Sequence, residues 1–230
     1  MSAHHEHHVT SSESLRDFVI GMADGLTVPF ALAAGLSGAV DSTALIITAG
    51  VAEIAAGAIA MGLGGYMGAK TESEHYASEH ARETREVQHM RAHEINETKE
   101  ILEGFGVPQA QLPVVVEAIT KDPQKWVDFM MRFELGLEKP DPRRLLQSPL
   151  IIGGAYVLGG LVPLSPYMVF SHVHEALPVS CAVSLLALLA FGAFKGHYTG
   201  QKMLKSALQT ALIGAAAAGA AFVIAKWVGA

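Results

Sequence analysis

The sequence predicts an all-α polytopic membrane protein with five transmembrane helices and a three-helix cytosolic insert between spans two and three. Three observations lead there. Half of the 230 residues are apolar and the mean hydropathy is +0.32, high for a water-soluble domain of this size. The apolar residues are gathered into runs long enough to cross a hydrocarbon core of about 30 Å, which takes roughly 20 helical residues. A single polar block, Lys70 to Arg144, interrupts these runs and holds 15 of the 22 acidic and 11 of the 16 basic residues, a net charge of −4 within a chain of −6.

The first run extends from about Leu15 to Ala39, the second from Thr43 to Ala69, the third from Leu145 to Leu164, the fourth from Pro166 to Phe194 and the fifth from Leu204 to Val228. The link between the first two, Ser37–Asp41, is so short that they form a hairpin. Neither it nor the three-four link around Pro163 to Ala176 carries Lys or Arg. Arg16, the polar block, Lys195, Lys202 and Lys205 lie on the other side, which is therefore cytosolic. The N-terminus and the insert are then cytosolic and the C-terminus lumenal, with Trp227 an interface anchor and Lys226 snorkelling near a helix end. Four stretches follow as domains: a disordered cytosolic N-terminus (1–14), transmembrane helices one and two (15–69), a cytosolic helical metal-binding domain (70–144) and transmembrane helices three to five (145–230). The start of the chain is polar and lacks the apolar run of a secretory signal. Its His4, His5, His7 and His8 are either a chelating cluster or a disordered tail. Cys181 is alone, so no disulfide forms within one chain.

Between Thr71 and Glu103 there is no proline or glycine, so the second span is expected to continue as one long helix that leaves the membrane and ends at Gly104 and Gly106. A second insert helix fits Gln109 to Thr120. A third starts at Pro123, a favoured first helical position, and runs to about Leu135.

Charge inside the membrane marks function. Asp24 and Glu53 each lie roughly ten residues from a boundary, where an acid costs about 2.5–3.5 kcal/mol and has a task or a partner. Gly50, Glu53, Gly57, Met61, Gly64 and Gly68 recur at helical spacing and form one face that admits close backbone approach. Pro29 has no N–H for the carbonyl of Gly25, leaving a polar oxygen beside Asp24. A carboxylate, a free carbonyl and the Met61 thioether make a cation path, although a methionine there also serves as packing.

On the insert, Glu72, Glu79, Glu83, Glu86, Met90, Glu94 and Glu97 fall at spacings of three, four and seven, one stripe on a 3.6-residue helix. Their mutual repulsion is relieved by bound cations; a solvated charged face gives the same pattern. Glu83 and Glu97 stand roughly 21 Å apart on a straight helix, which implies several ion sites in series. Met130, Met131 and Glu134 on the third insert helix complete them, with Trp126, Phe129 and Phe133 as its packing face. Carboxylates alone suit Mg²⁺ or Ca²⁺, and added methionine sulfur shifts preference toward Fe²⁺, Mn²⁺, Co²⁺ or Zn²⁺. Glu79, Met90 and His93 are accessory candidates. The acidic balance excludes nucleic acid as a partner.

The stretches DGLTVPFALAAGLSG (Asp24–Gly38) and AEIAAGAIAMGLGGYMGAKTESEHY (Ala52–Tyr76), with the acidic insert, resemble the plant-type vacuolar iron transporter family over nearly the whole chain. The resemblance implies a homodimer with its pathway at the interface of the first two spans, a vacuolar membrane location, and proton-coupled antiport of Fe²⁺ out of the cytosol. It places Asp24, Glu53 and Met61 in the pathway, and Glu83, Glu86, Glu94, Glu97, Met130, Met131 and Glu134 in the cytosolic metal-binding set. It also implies a transporter and not an enzyme. Two other classes compete on the residues alone. Glu72-x-x-His75 and Glu86-x-x-His89 match the pattern of a ferritin-like di-iron oxidase or iron store, here membrane-anchored. An acidic insert that docks a basic partner is the other.

Overall fold

The computed structural model describes residues 8–228. It is all-helical: α1 (His8–Ser37), α2 (Thr43–His89), α3 (Arg91–Gly104), α4 (Leu112–Thr120), α5 (Pro123–Phe133), α6 (Arg144–Val169), α7 (Val173–Tyr198) and α8 (Met203–Val228). Five of these, α1, α2, α6, α7 and α8, are long and apolar enough to cross a membrane, and α3–α5 lie between spans two and three. The chain forms two compact units, Met1–Tyr66 with Leu145–Ala230, and Met67–Arg144.

In the first unit, α1 packs with α7 and α8 through Leu26, Phe30 and Ala34 against Leu188, Phe191, Ala211 and Ala218. A second cluster joins Ala33 of α1, Ile46 and Ile54 of α2, Leu164 and Tyr167 of α6 and Ala176 of α7. Glycines set how closely α6 approaches α1 and α2. A Cβ on Gly159 would collide with the backbone of Gly25 and Leu26, and one on Gly160 with Ile54. Close backbone approach of this kind is the usual basis of helix association in lipid.

In the second unit, Val87 of α2 packs on Trp126, Val127, Met130 and Met131 of α5. Leu102 of α3 meets Leu112 and Val116 of α4. Asp122 caps α5, accepting from Gln124 N at 3.0 Å and Lys125 N at 3.4 Å, with Pro123 at the first helical position as expected. The turn after α3 needs Gly106 at φ +82, where its N–H reaches Glu103 O and Val107 N reaches Leu102 O.

Several boundaries differ from expectation. The long helix does not reach Glu103. It stops at His89, and Met90 adopts φ −119, ψ 29 before α3 starts. Beyond the turn, Thr98 and Leu102 of α3 are buried, Thr98 on Trp126 and Leu102 on Leu112 and Val116. The fourth span does not begin at Pro166. Instead α6 runs through Pro163 and Pro166 to Val169, and the link is residues 170–172. Pro166 offers no N–H to the carbonyl of Val162, and Ser165 Oγ donates to that carbonyl at 2.8 Å. At the other end, α1 is helical from His8, ahead of the candidate span, which begins at Glu13. No Gly or Pro stands between His8 and Leu15 to stop it. His4, His5 and His7 lie outside the described residues.

Candidate metal centre

The turn at Met90 creates the site. Eleven residues separate Glu83 from Glu94, roughly 16 Å along a straight helix. In the fold, one carboxylate oxygen each of Glu83, Glu94 and Glu134 lie within 4.8 Å of one another. The straight-helix distances therefore do not carry over to the fold, because the ruler bends between the carboxylates. A point at the centre of the three oxygens is within about 2.8 Å of each, a small rotamer adjustment from the 2.0–2.2 Å of a transition-metal–carboxylate bond. Glu83 and Glu94 are 1% and 2% exposed, while Glu134 at the end of α5 is exposed and leaves one side open. Glu83 Oε1 and Glu94 Oε2 are buried without a hydrogen-bond partner among the described residues. Orphaned acceptors of this kind are costly unless a proton or a cation occupies them.

Electrostatics follow from that burial. Desolvation, then a hydrogen bond with Glu94 and the charges of Glu134, Glu94 and Glu86, push Glu83 from the ordinary carboxylate value of 4.5 up to about 8. Glu94 is raised by burial and by the charges of Glu97 and Glu86, with the Glu83 hydrogen bond opposing. Glu134 is raised by burial, Glu97 and Glu94, and Arg82 partly offsets this. Without a cation Glu83 holds its proton near neutrality. A divalent ion that binds there displaces it.

The other expected ligands stand around this cluster. Glu86 and Glu97 act on it through their charge. Glu86 is also 3.6 Å from Arg82, which pairs with Glu79 at 2.9 Å, so Arg82 neutralises part of the stripe. His93 is 3.3 Å from Glu97. Met130 and Met131 are buried beneath, and Met90 is half-exposed in the turn itself. Trp126 packs as expected, but Phe133 is 46% exposed and stacks on Phe129. The pattern missed Thr98. Its hydroxyl is fully buried, donates to Glu94 O, accepts from Trp126 Nε1 at 2.9 Å and lies 3.4 Å from Met130 Sδ. It ties α3 to α5 under the carboxylates. The di-iron pattern does not assemble among the described residues. His75 and His89 are exposed, the His89 ring contacts Arg85 O, and the three-carboxylate group contains no histidine.

In the first unit, Asp24 on α1 and Glu53 on α2 are both half-buried. Tyr156 of α6 donates its hydroxyl to Glu53 Oε1, and Asp24 is close enough to act on Tyr156 electrostatically. Met61, also half-buried, stands two turns along α2 from Glu53, about 12 Å at 1.5 Å per residue. Of the glycine face, Gly50 packs on Leu164 and Gly57 on Tyr156, whereas a Cβ on Gly64 or Gly68 would meet nothing among the described residues. Sequence reasoning did not single out Tyr156. The available signal was a phenol in an apolar span, whose hydroxyl needs a partner.

Comparison with known proteins bears on these sites. A family model described as the VIT family matches residues 15–226. Vacuolar iron transporter 1 of Arabidopsis thaliana is 56% identical over 223 residues, covering 97% of this chain and 89% of that protein. Vacuolar iron transporter 1 of Oryza sativa subsp. japonica is 53% identical over 227 residues, covering 97% and 90%. Protein CCC1 of Saccharomyces cerevisiae is 40% identical over 225 residues, covering 94% and 69%.

Proposed function

Because this chain belongs to the VIT family, we propose that it carries Fe²⁺ across the vacuolar membrane, from cytosol to lumen, in exchange for protons. The family is one of transporters, which sets aside the oxidase reading. The observation that carries the proposal is the convergence of Glu83, Glu94 and Glu134 on one point, with one buried oxygen each of Glu83 and Glu94 lacking a hydrogen-bond partner among the described residues. Three carboxylates with neighbouring Glu86 and Glu97, above buried Met130 and Met131, suit a divalent transition metal, so Mn²⁺, Co²⁺ and Zn²⁺ compete for it. In this reading the insert captures ions on the cytosolic side, and the ions shed protons from the cluster as they bind.

The transport step belongs to Asp24, Glu53 and Met61. Two acids within apolar helices, with no Lys or Arg at their depth in the sequence, suit alternate occupation by metal and proton. The distribution of basic residues supports a cytosolic N-terminus and insert and a lumenal C-terminus. Gly64 and Gly68, where a Cβ would meet nothing among the described residues, support a second copy seated on α2 as a homodimer. The test is uptake into proteoliposomes with set pH on each side. Wild-type protein is expected to accumulate Fe²⁺ only with an acidic interior, and Asp24→Ala to abolish uptake. Full uptake by that variant, or uptake indifferent to the gradient, overturns the proposal.

A further inference from the structure

We propose that Tyr156 is a positioning residue that sets the ion specificity of the membrane site by holding Glu53 to one free oxygen. This rests on the transport reading above, in which Glu53 touches the ion. The Tyr156 hydroxyl occupies Glu53 Oε1, and Glu53 Oε2 is buried with no partner among the described residues. One carboxylate oxygen is thereby engaged by the phenol and the other is left without a partner among the described residues.

The tyrosine cannot easily move. It is 3% exposed. Its ring lies in a notch of α2 left by Gly57, one turn beyond Glu53, where a Cβ would collide with the phenol carbon and oxygen. Its backbone lies against Gly25 of α1, next to Asp24, where a Cβ would collide with the Tyr156 carbonyl and Cα. The Glu53 carboxylate and the α1 backbone beside Asp24 come from different helices, and both meet the same residue of a third. Tyr156 therefore fixes the orientation of Glu53 and the place of Asp24 relative to it.

A carboxylate restricted to one oxygen disfavours Ca²⁺, which takes many oxygen ligands and often both oxygens of one carboxylate. Smaller divalent ions that accept single-oxygen and sulfur ligands are not disfavoured. Freeing Glu53 removes that discrimination.

The experiment is Fe²⁺ uptake by full-length protein in proteoliposomes, with and without competing Ca²⁺. Tyr156→Phe is expected to raise KM for Fe²⁺ about tenfold, keep the maximal rate within about twofold, and make uptake sensitive to Ca²⁺ that wild type ignores. Gly57→Ala keeps the hydroxyl but displaces the ring, and is expected to shift both readouts the same way. Tyr167→Phe is the control. It removes another buried tyrosine hydrogen bond, 2.8 Å to Ser37, and is expected to leave KM and Ca²⁺ rejection unchanged. Unchanged KM and Ca²⁺ rejection in Tyr156→Phe overturns the inference. Where Tyr156→Phe fails to fold, the same wild-type values in Gly57→Ala overturn it. Glu53→Ala separates the two levels. Full uptake by it sinks the transport reading, whereas lost uptake beside an unaltered Tyr156→Phe sinks only the role of the tyrosine.

Discussion

Replacing Glu83 with Gln tests the physics of the insert directly. In the folded insert without metal, Glu83 keeps its proton up to about pH 8, whereas the unfolded chain releases it near 4.5. The folded state therefore binds more protons between these values. Stability is fully present below about 4.5 and falls as pH rises toward 8, by about 1.4 kcal/mol per pH unit for one proton. From pH 5 to 7.5 the loss approaches 3 kcal/mol from Glu83 alone, and Glu94 and Glu134, shifted the same way, add to it. Gln has nearly the same shape and no charge to bury, so Glu83→Gln is expected to remove about one proton's worth of this slope and to stabilise the metal-free insert at pH 7.5 by about 2–3 kcal/mol. The chain has two tryptophans, and Trp126 is fully buried in the insert core. In a Trp227→Phe background, Trp126 emission during urea unfolding in detergent and chelator follows the insert. Mn²⁺ is expected to flatten or reverse the wild-type slope by taking the protons' place, and to leave Glu83→Gln unmoved. A metal-free wild type equally stable at pH 5 and 7.5, or a Glu83→Gln slope identical to wild type, would refute the reasoning.

Three further outcomes follow from the same geometry. Apparent Mn²⁺ affinity of the full chain is expected to rise about tenfold per pH unit between 6.5 and 7.5 and to level off above about 8, with protons released into weakly buffered solution on binding; calorimetry in two buffers checks this. Thr98→Val leaves Trp126 Nε1 buried without an acceptor and is expected to cost about 1–3 kcal/mol of insert stability, read by the same emission, and to weaken Mn²⁺ binding. Gly159→Leu drives a side chain into the backbone of Gly25 and Leu26, and is expected to lower the detergent melting temperature of the membrane unit while Mn²⁺ still binds the insert.

Much of this was legible in one dimension because membrane spans and helix faces are local properties. An apolar run of about 20 residues buries its backbone in its own hydrogen bonds wherever it lies, so five spans could be read from composition, and Pro123 and Gly106 marked a helix start and a turn. The acids stood out for the same reason, since an isolated Asp24 or Glu53 in lipid is costly in any fold. Helix ends set by packing were not legible. No Gly or Pro announces the turn at Met90. The one trace is symmetry, with Glu86 and Glu94 four residues and Glu83 and Glu97 seven residues to either side of it.

Hydropathy, charge and spacing in the sequence alone were enough for five spans and for the acids that suit cations, since those are local properties. Tertiary structure alone decided which residues meet. The chain turns at Met90, Thr98 and Leu102 are buried beyond it, and Glu83 meets Glu94 and Glu134. Packing α6 into the glycine notches of α1 and α2 brings Tyr156 to Glu53, across 103 positions of sequence. Both follow from contacts between distant segments, and no local pattern encodes the distance at which two such segments come to rest.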